Sequence, residues 1–361
     1  MSKTALLAAL LCVSSIAGAQ TSQRITAGKA SEYGLVYSLP NTVADVYLCA
    51  ELVEETPGEF HNYARRYLGT SDAITTASRT ARLTGAVITP RGVADPTEQW
   101  LAQFKNGSTP YMTLTPGNVP TGINTETLYT TDAPDVPEAT DWTPSPLDGP
   151  AARQAITAEM ARSSSTSKRA ELAAQRIFEL REMRSDILSG QADNMPSDGA
   201  AMDLVLRNLQ AQEAALTAMF TGVRRTRTVV GKATVVPDTV SASDIVIARL
   251  SVTDGIIESS DLSGSPITAD ITVVERGVLP TNEKGEVKTF PRGGVAYRIP
   301  GRAKIEVRCD NNTVASRTLD VAQLGVVFGL NPALFTDKRE PAMVVFDPAT
   351  GSIVELGPAN Q

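Results

Sequence analysis

Two stretches near the middle of the chain carry apolar residues every three to four positions. In Ser167–Leu188 the stripe is Ala173, Ile177, Leu180, Arg184 and Ile187, the spacing of an amphipathic helix. Gly190–Pro196 follows as a turn. Ser197 or Asp198 then caps a second helix to Phe220, with Met202, Val205, Leu206, Leu209, Leu216, Met219 and Phe220 inward and Gly222 closing it. The short connection predicts an antiparallel helical hairpin, each arm about 30 Å long at ~1.5 Å per residue.

From Arg224 onward the period changes to two. Thr226–Val236, Ile245–Ser251, Ile267–Val274, Val295–Ile299, Lys304–Cys309, Val314–Leu319 and Gly325–Leu330 read as strands. The last pair, Ala342–Phe346 and Ser352–Leu356, closes around Asp347-Pro348-Ala349-Thr350-Gly351, which is turn chemistry. Toward the N-terminus, Thr42–Val53 reads as a strand after Pro40. Glu59–Leu68 puts Phe60, Tyr63, Ala64, Tyr67 and Leu68 on one helical face, with Gly69 at the position that ends it. Arg79–Thr89 is another strand. Asp95-Pro96-Thr97-Glu98 has the residues of a helix start, so a short helix is expected to Phe104.

The fold class is therefore α+β: a β-rich body, with an N-terminal α/β part and a C-terminal antiparallel β part, and a central antiparallel helical hairpin. The expected division is a leader over 1–19, a flexible polar lead-in over 20–33, and an N-terminal strand/helix domain over 34–108. A Pro/Thr-rich loop or linker (109–150), the helical hairpin (151–223) and a C-terminal β domain (224–361) follow.

One segment recurs. Gly34-Leu-Val-Tyr37-Ser-Leu39-Pro40 matches Gly294-Val-Ala-Tyr297-Arg-Ile299-Pro300, and the same offset aligns Cys49 with Cys309. Each copy reads as strand, proline, strand, with a bend or a change of sheet at the proline. The two cysteines are a candidate disulfide pair in an oxidising compartment, or two buried free thiols.

The N-terminus supplies that compartment. Lys3, the apolar run Ala5–Val13 and the small residues Ala17-Gly18-Ala19 form a secretory leader, with cleavage expected between Ala19 and Gln20. Cys12 follows Leu11, not the small residue expected before a lipidated cysteine, so it belongs to the discarded segment. The mature chain holds no run of about 20 apolar residues, the length of a membrane helix. The whole chain has 33 basic and 40 acidic side chains, a net charge of −7. That balance argues against nucleic acid.

Candidates for chemistry are sparse. His61 is the single histidine; metal sites and catalytic triads need more, and Gly-x-Ser-x-Gly, glycine-rich phosphate loops and CxxC are missing. Asp193-Asn194 with Asp198-Gly199 lacks the ligand alternation of a calcium loop, and Asp198 reads as a cap. Asp261 and Asp347 read as turn residues. No catalytic, cofactor-binding or metal residue and no cofactor is assigned. Trp100, Trp142 and Tyr129 are the aromatics that could serve a glycan site.

The Tyr-Ser-Leu-Pro40 strand, Tyr63-Ala-Arg-Arg-Tyr-Leu-Gly69, Gly190–Gly199, Glu213 through Phe220-Thr-Gly222, Tyr297-Arg-Ile-Pro300, Ala322-Gln-Leu-Gly325 and Phe346–Gly351 occur in that order. Together they resemble the domain-of-unknown-function family 4831, exported proteins of Bacteroidota. The resemblance spans about Tyr37 to Leu356. It implies a Gram-negative envelope, periplasmic or outer-membrane associated, and offers no catalytic residues to carry over. In that setting Asp238-Thr239-Val240 also resembles a short O-glycosylation acceptor. The leading expectation is a non-catalytic structural or partner-binding envelope protein whose partner is another envelope protein or a glycan. The alternatives are an envelope glycan- or peptide-acting hydrolase and a glycan- or small-ligand-binding module.

Overall fold

The computed structural model describes residues 21–24, 34–103, 110–192, 199–337 and 340–359. The expected leader, its Ala19/Gln20 junction and the caps Ser197 and Asp198 lie outside these residues. In chain order the strands are β1 (Thr21–Arg24), β2 (Leu35–Thr56), β3 (Ser78–Gln103), β4 (Met112–Leu114), β5 (Pro120–Ile123), β6 (Val223–Val235), β7 (Ala242–Ser251), β8 (Gly255–Ile257), β9 (Ser265–Glu275), β10 (Val295–Cys309), β11 (Asn312–Leu330), β12 (Ala342–Phe346) and β13 (Ile353–Pro358). The helices are α1 (Ala64–Leu68, entered through a 3-10 turn at His61–Tyr63), α2 (Pro150–Ala155), α3 (Ala158–Arg162), α4 (Thr166–Ser189), α5 (Gly199–Thr221) and α6 (Ala333–Thr336).

The strands form antiparallel sheets of order β1-β3-β2-β6, β11-β10-β9-β7-β8 and β13-β12-β5-β4. The first two pack face to face. Alternate residues of β2 (Ala44, Val46, Leu48, Ala50) meet Ile267, Ala269 and Ile271 of β9 and Ala303, Ile305 and Val307 of β10 in the first core, as the two-residue period of a half-buried strand requires. A second core lies under the helices, around Phe60, Ile177, Leu216 and Phe220. A third gathers Tyr37, Leu39, Ile123, Val344 and Phe346 against the small sheet.

The repeated segment explains how the cores connect. Tyr37 and Leu39 of β2 lie in the third core, and Ala44 onward in the first; Val295 and Ala296 of β10 lie in the third core, and Ala303 onward in the first. In both copies the crossing is at the proline. The register with β3 slips between Ser38 and Pro40, and that with β11 between Ile299 and Gly301. Proline has no N–H for the ladder, so a bulge forms there and the strand changes core.

Four expectations need correction. The helix expected from Asp95 to Phe104 is strand: β3 runs to Gln103, with Trp100 opposite Tyr37 and Leu101 opposite Val36. Ser38 faces Gln99 and Pro40 faces Ala94, so 95–98 loop out as a bulge. Asp95 does accept a hydrogen bond from the Thr97 N–H (2.9 Å), which is the capping chemistry without the helix. The loop or linker over 109–150 contains β4 and β5, which join β12 and β13 through Ile123 opposite Val344. β4 pairs locally with β5 (Met112 opposite Ile123), but strands of three and four residues are too short to show a period. The segments 34–108 and 224–361 are not separate domains: β6 pairs with β2 from Ala44–Val235 to Thr56–Val223, and both contribute to the first core. Within the lead-in, Thr21–Arg24 pairs with Trp100–Gln103.

The hairpin forms as expected. Ser165 caps α4 by accepting the Lys168 N–H, and Gly190 ends it in the left-handed conformation (φ 75°). Ala173, Ile177, Leu180 and Ile187 are buried. Arg184 instead joins Arg181 in gripping Glu213 of α5, each at 2.6 Å. At the base, the Phe60 and Phe220 rings are 5.3 Å apart. On α5 burial starts at Ala215; of the expected inward set, Leu216 and Phe220 are buried and Val205 is exposed.

Candidate functional site

The short motifs of β2, β3, β10, β11 and the closing turn converge on one place. Thr42, fully buried, donates its hydroxyl to the Ala349 carbonyl (2.8 Å) and accepts the Ala322 N–H (2.9 Å). The Gln323 amide pairs with both backbone groups of Thr42, each at 2.9 Å, and also donates to the Pro237 carbonyl. The Tyr37 hydroxyl accepts the Ala296 N–H at 2.9 Å. Arg298 donates its backbone N–H to the Gly351 carbonyl (2.9 Å), and its guanidinium to Asp95 (2.8 Å) and Asn41 (3.3 Å). Gly92 lies so close to the closing turn that a Cβ there would sit 1.8 Å from the Pro348 oxygen. Apart from Arg298 Nε, these buried polar groups satisfy one another, which specifies one arrangement of the strand crossing.

A groove lies above this junction. One cavity of about 530 Å³ is bounded by Pro90–Ala94 of β3, by Thr115, Gly117 and Val119, by Tyr129 and Thr131, and by Asp347–Ala349. A second, of about 260 Å³, shares Pro90, Arg91 and Thr131 with it and continues past Asp45, Tyr47, Asp132–Pro134 and Arg317. The outer wall is the irregular segment after β5. It is tied to the free edge of β6 by Thr140 and Thr143, which each exchange hydrogen bonds with the backbone of Thr228 and Thr226 respectively.

Arg91 and Asp45 set the charge of the groove floor. The Asp45 carboxylate receives Arg91 Nε (2.8 Å) and Nη2 (3.1 Å), Lys232 Nζ (2.8 Å) and the Thr234 hydroxyl (3.0 Å). Chiefly through Arg91, and against its own burial, its pKa falls from 3.8 to about 2; Arg91 is raised in return, chiefly by Asp45. Because the folded value is depressed, this contribution is fully present above pH ~4 and is lost as pH falls toward 2. Urea unfolding from pH 5 down to 2 should show Asp45→Asn lacking about 1–2 kcal/mol of the wild-type decline, a figure reduced by the half-exposed partners.

The other sequence candidates are dispersed. Cys49 and Cys309 are both buried and free, the second of the two readings. Cys49 lies between Leu48 and Ala50, which face the first core, so it faces the other side of its sheet; Cys309 belongs to that core. Equivalent register thus puts the thiols on opposed faces. Burial pushes both thiols up, so thiol reagents should modify neither until the protein unfolds. The His61 Nδ1 lies 2.8 Å from the Gly58 carbonyl oxygen, in a local turn. Asp261 and Asp347 accept N–H groups within their turns. Trp100 stacks on Phe290 (5.5 Å), and Trp142 lies under the Arg225 and Arg227 guanidiniums. Of the three aromatics, Tyr129 lines the groove. Asp193, Asn194 and Asp198 lie outside the described residues. Thr239 is on an exposed loop. Among the described residues no three His, Cys, Asp or Glu side chains are placed to hold a metal, and no helix is long and apolar enough to cross a membrane.

The family model for the domain of unknown function DUF4831 matches residues 33–354. The chain belongs to that family. Neither a curated protein nor a solved structure matches it. The matched span includes the whole junction, so several of the family-like motifs, Tyr37–Pro40, Tyr297–Pro300, Ala322–Gly325 and Phe346–Gly351, act here as fasteners of the strand crossing. Glu213 does the same for the hairpin. What the sequence did not single out is Arg91 with Asp45, and Asp95 with Arg298. Each pair joins segments whose relation only the fold sets.

Proposed function

We propose that this protein is a non-catalytic component of the cell envelope, exported through its N-terminal leader, that holds another envelope protein through the distal half of the α4/α5 hairpin. One observation carries the reading. No residue of α5 before Ala215 is fully buried; Leu209 packs on the helical core and Met202 and Leu206 are half-buried, but Leu204 and Val205 are exposed. Leu204 is 66% exposed, and Leu188 at the end of α4 is 67% exposed. Scattered apolar residues need no explanation, but exposed leucines at the turn end of both arms of a hairpin, beside the cavity that Leu204 shares with α2, are the form of an interaction surface. The base of that arm is held by the Phe60–Phe220 contact and the Arg181–Glu213–Arg184 clamp.

The carboxylates weigh against the hydrolase alternative. Among the described residues, those with displaced pKa values, Asp45, Asp95, Asp261 and Asp270, are all lowered by hydrogen bonds and neighbouring cations. A general acid needs the opposite displacement.

The test is recovery of tagged protein from mildly cross-linked envelope fractions. Wild type is expected to bring down a stoichiometric envelope protein. Leu204→Asp with Val205→Asp should lose it while changing stability by no more than about 0.5 kcal/mol each, as befits exposed positions. Retention of the same partner by the double variant, or recovery of wild type alone, contradicts the proposal.

A further inference from the structure

We infer that the groove over the strand junction is a binding site for a neutral oligosaccharide, independent of the hairpin. The two cavities share Pro90, Arg91 and Thr131 in their walls and lie side by side, so together they offer an elongated site that suits a chain rather than a single compact ligand. Their volumes, about 530 and 260 Å³, fall in or near the ordinary range for ligand sites.

The lining has the two surfaces a sugar chain needs. Flat, stiff apolar faces come from Pro90, Pro348 and the Tyr129 ring, against which the C–H face of a pyranose packs. Polar groups able to meet hydroxyls in pairs come from Arg91 and Asp347. Both are already fixed: Arg91 by its two bonds to Asp45, and Asp347 by the Ala349 N–H (2.9 Å) and the Thr350 hydroxyl (2.7 Å). Such fixed groups lose little freedom when a ligand arrives. Half of the Arg91 side chain nevertheless stays exposed.

Charge decides between neutral and ionic ligands. Asp45, Asp132 and Asp347 line the groove against Arg91 and Arg317, and Lys232 neutralises Asp45 from beside it. This near-balance creates no field to concentrate either a phosphate or a cation. An uncharged, hydroxyl-rich chain fits it.

Saturation-transfer NMR on the full mature protein tests this, using hexamers of glucose, xylose, mannose and N-acetylglucosamine, with a galacturonate hexamer as the anionic probe. At least one neutral hexamer is expected to bind. Tyr129→Ala and, separately, Val93→Trp, which fills the groove from an exposed strand position, should each weaken it tenfold or more. Leu204→Asp, on the hairpin, should leave it unchanged, which separates this result from that for the protein partner. No signal from any neutral hexamer at millimolar concentration, preference for the galacturonate probe, or binding indifferent to both groove variants would overturn the inference.

Discussion

Replacing Asp95 by alanine is expected to cost about 3–5 kcal/mol, the range for removing one partner of a buried ion pair. The side chains of Arg298 and Asp95 are 7% and 9% exposed. Arg298 Nε has no hydrogen-bond partner, so without Asp95 the guanidinium would keep Asn41, at 3.3 Å, and the Glu98 charge. The substitution also removes the acceptor of the Thr97 N–H and hydroxyl. Asp95→Ala with Arg298→Met should recover much of the loss, since an apolar side chain carries no desolvation penalty. Urea unfolding reads both. A single variant within about 1 kcal/mol of wild type, the size of one ordinary hydrogen bond, would contradict the account of the junction. The pH dependence has a definite sign. Burial pushes the Asp95 carboxyl up, but Thr97 and Arg298 overcome it and hold it below its ordinary value. Its contribution is therefore present at neutral pH and is lost as pH falls through the folded value.

Gly92→Ala is the second large effect. The added methyl would lie 1.8 Å from the Pro348 oxygen and 2.9 Å from its carbonyl carbon. Both are backbone atoms of a turn held by Thr42 and by the Arg298 N–H. Neither side can yield cheaply, so the loss should reach about 3 kcal/mol or more, the upper end for overpacking. Gly85→Ala is the control: nothing lies within 4 Å of its Cβ position, and it should be neutral or slightly stabilising through the unfolded chain. Thermal unfolding of the pair separates steric exclusion from a general intolerance of β3. Equal stability for both variants would contradict the close approach.

What was legible in the sequence is what local chemistry sets. The hairpin followed from a stripe of Ala173, Ile177 and Leu180 and from Gly190. The closing turn followed from Asp347-Pro348 and Gly351. The prolines at 40 and 300 announced bends, and both strands do change core there. The failures share a cause. Asp95-Pro96-Thr97-Glu98 is turn chemistry that serves a helix start and a strand bulge equally, and only the pairing of Trp100 with Tyr37 decides between them. Met112–Leu114 and Pro120–Ile123 pair with each other, but at three and four residues they are too short to show a period, and Ile123 finds its other partner far away at Val344. Counting residues made Cys49 and Cys309 equivalent, yet not which face of a sheet each would take. The groove needed Arg91, Thr115, Tyr129 and Asp347 together, four segments with no common period; Tyr129 was its one sequence signal.

The most direct test of the central claim is photo-cross-linking in intact cells from a photoreactive residue placed at position 204. The account predicts one discrete adduct with an envelope protein, missing when the same residue replaces exposed Thr318 on the β body. An adduct of the same protein from both positions, or none from position 204, would contradict a partner-binding hairpin.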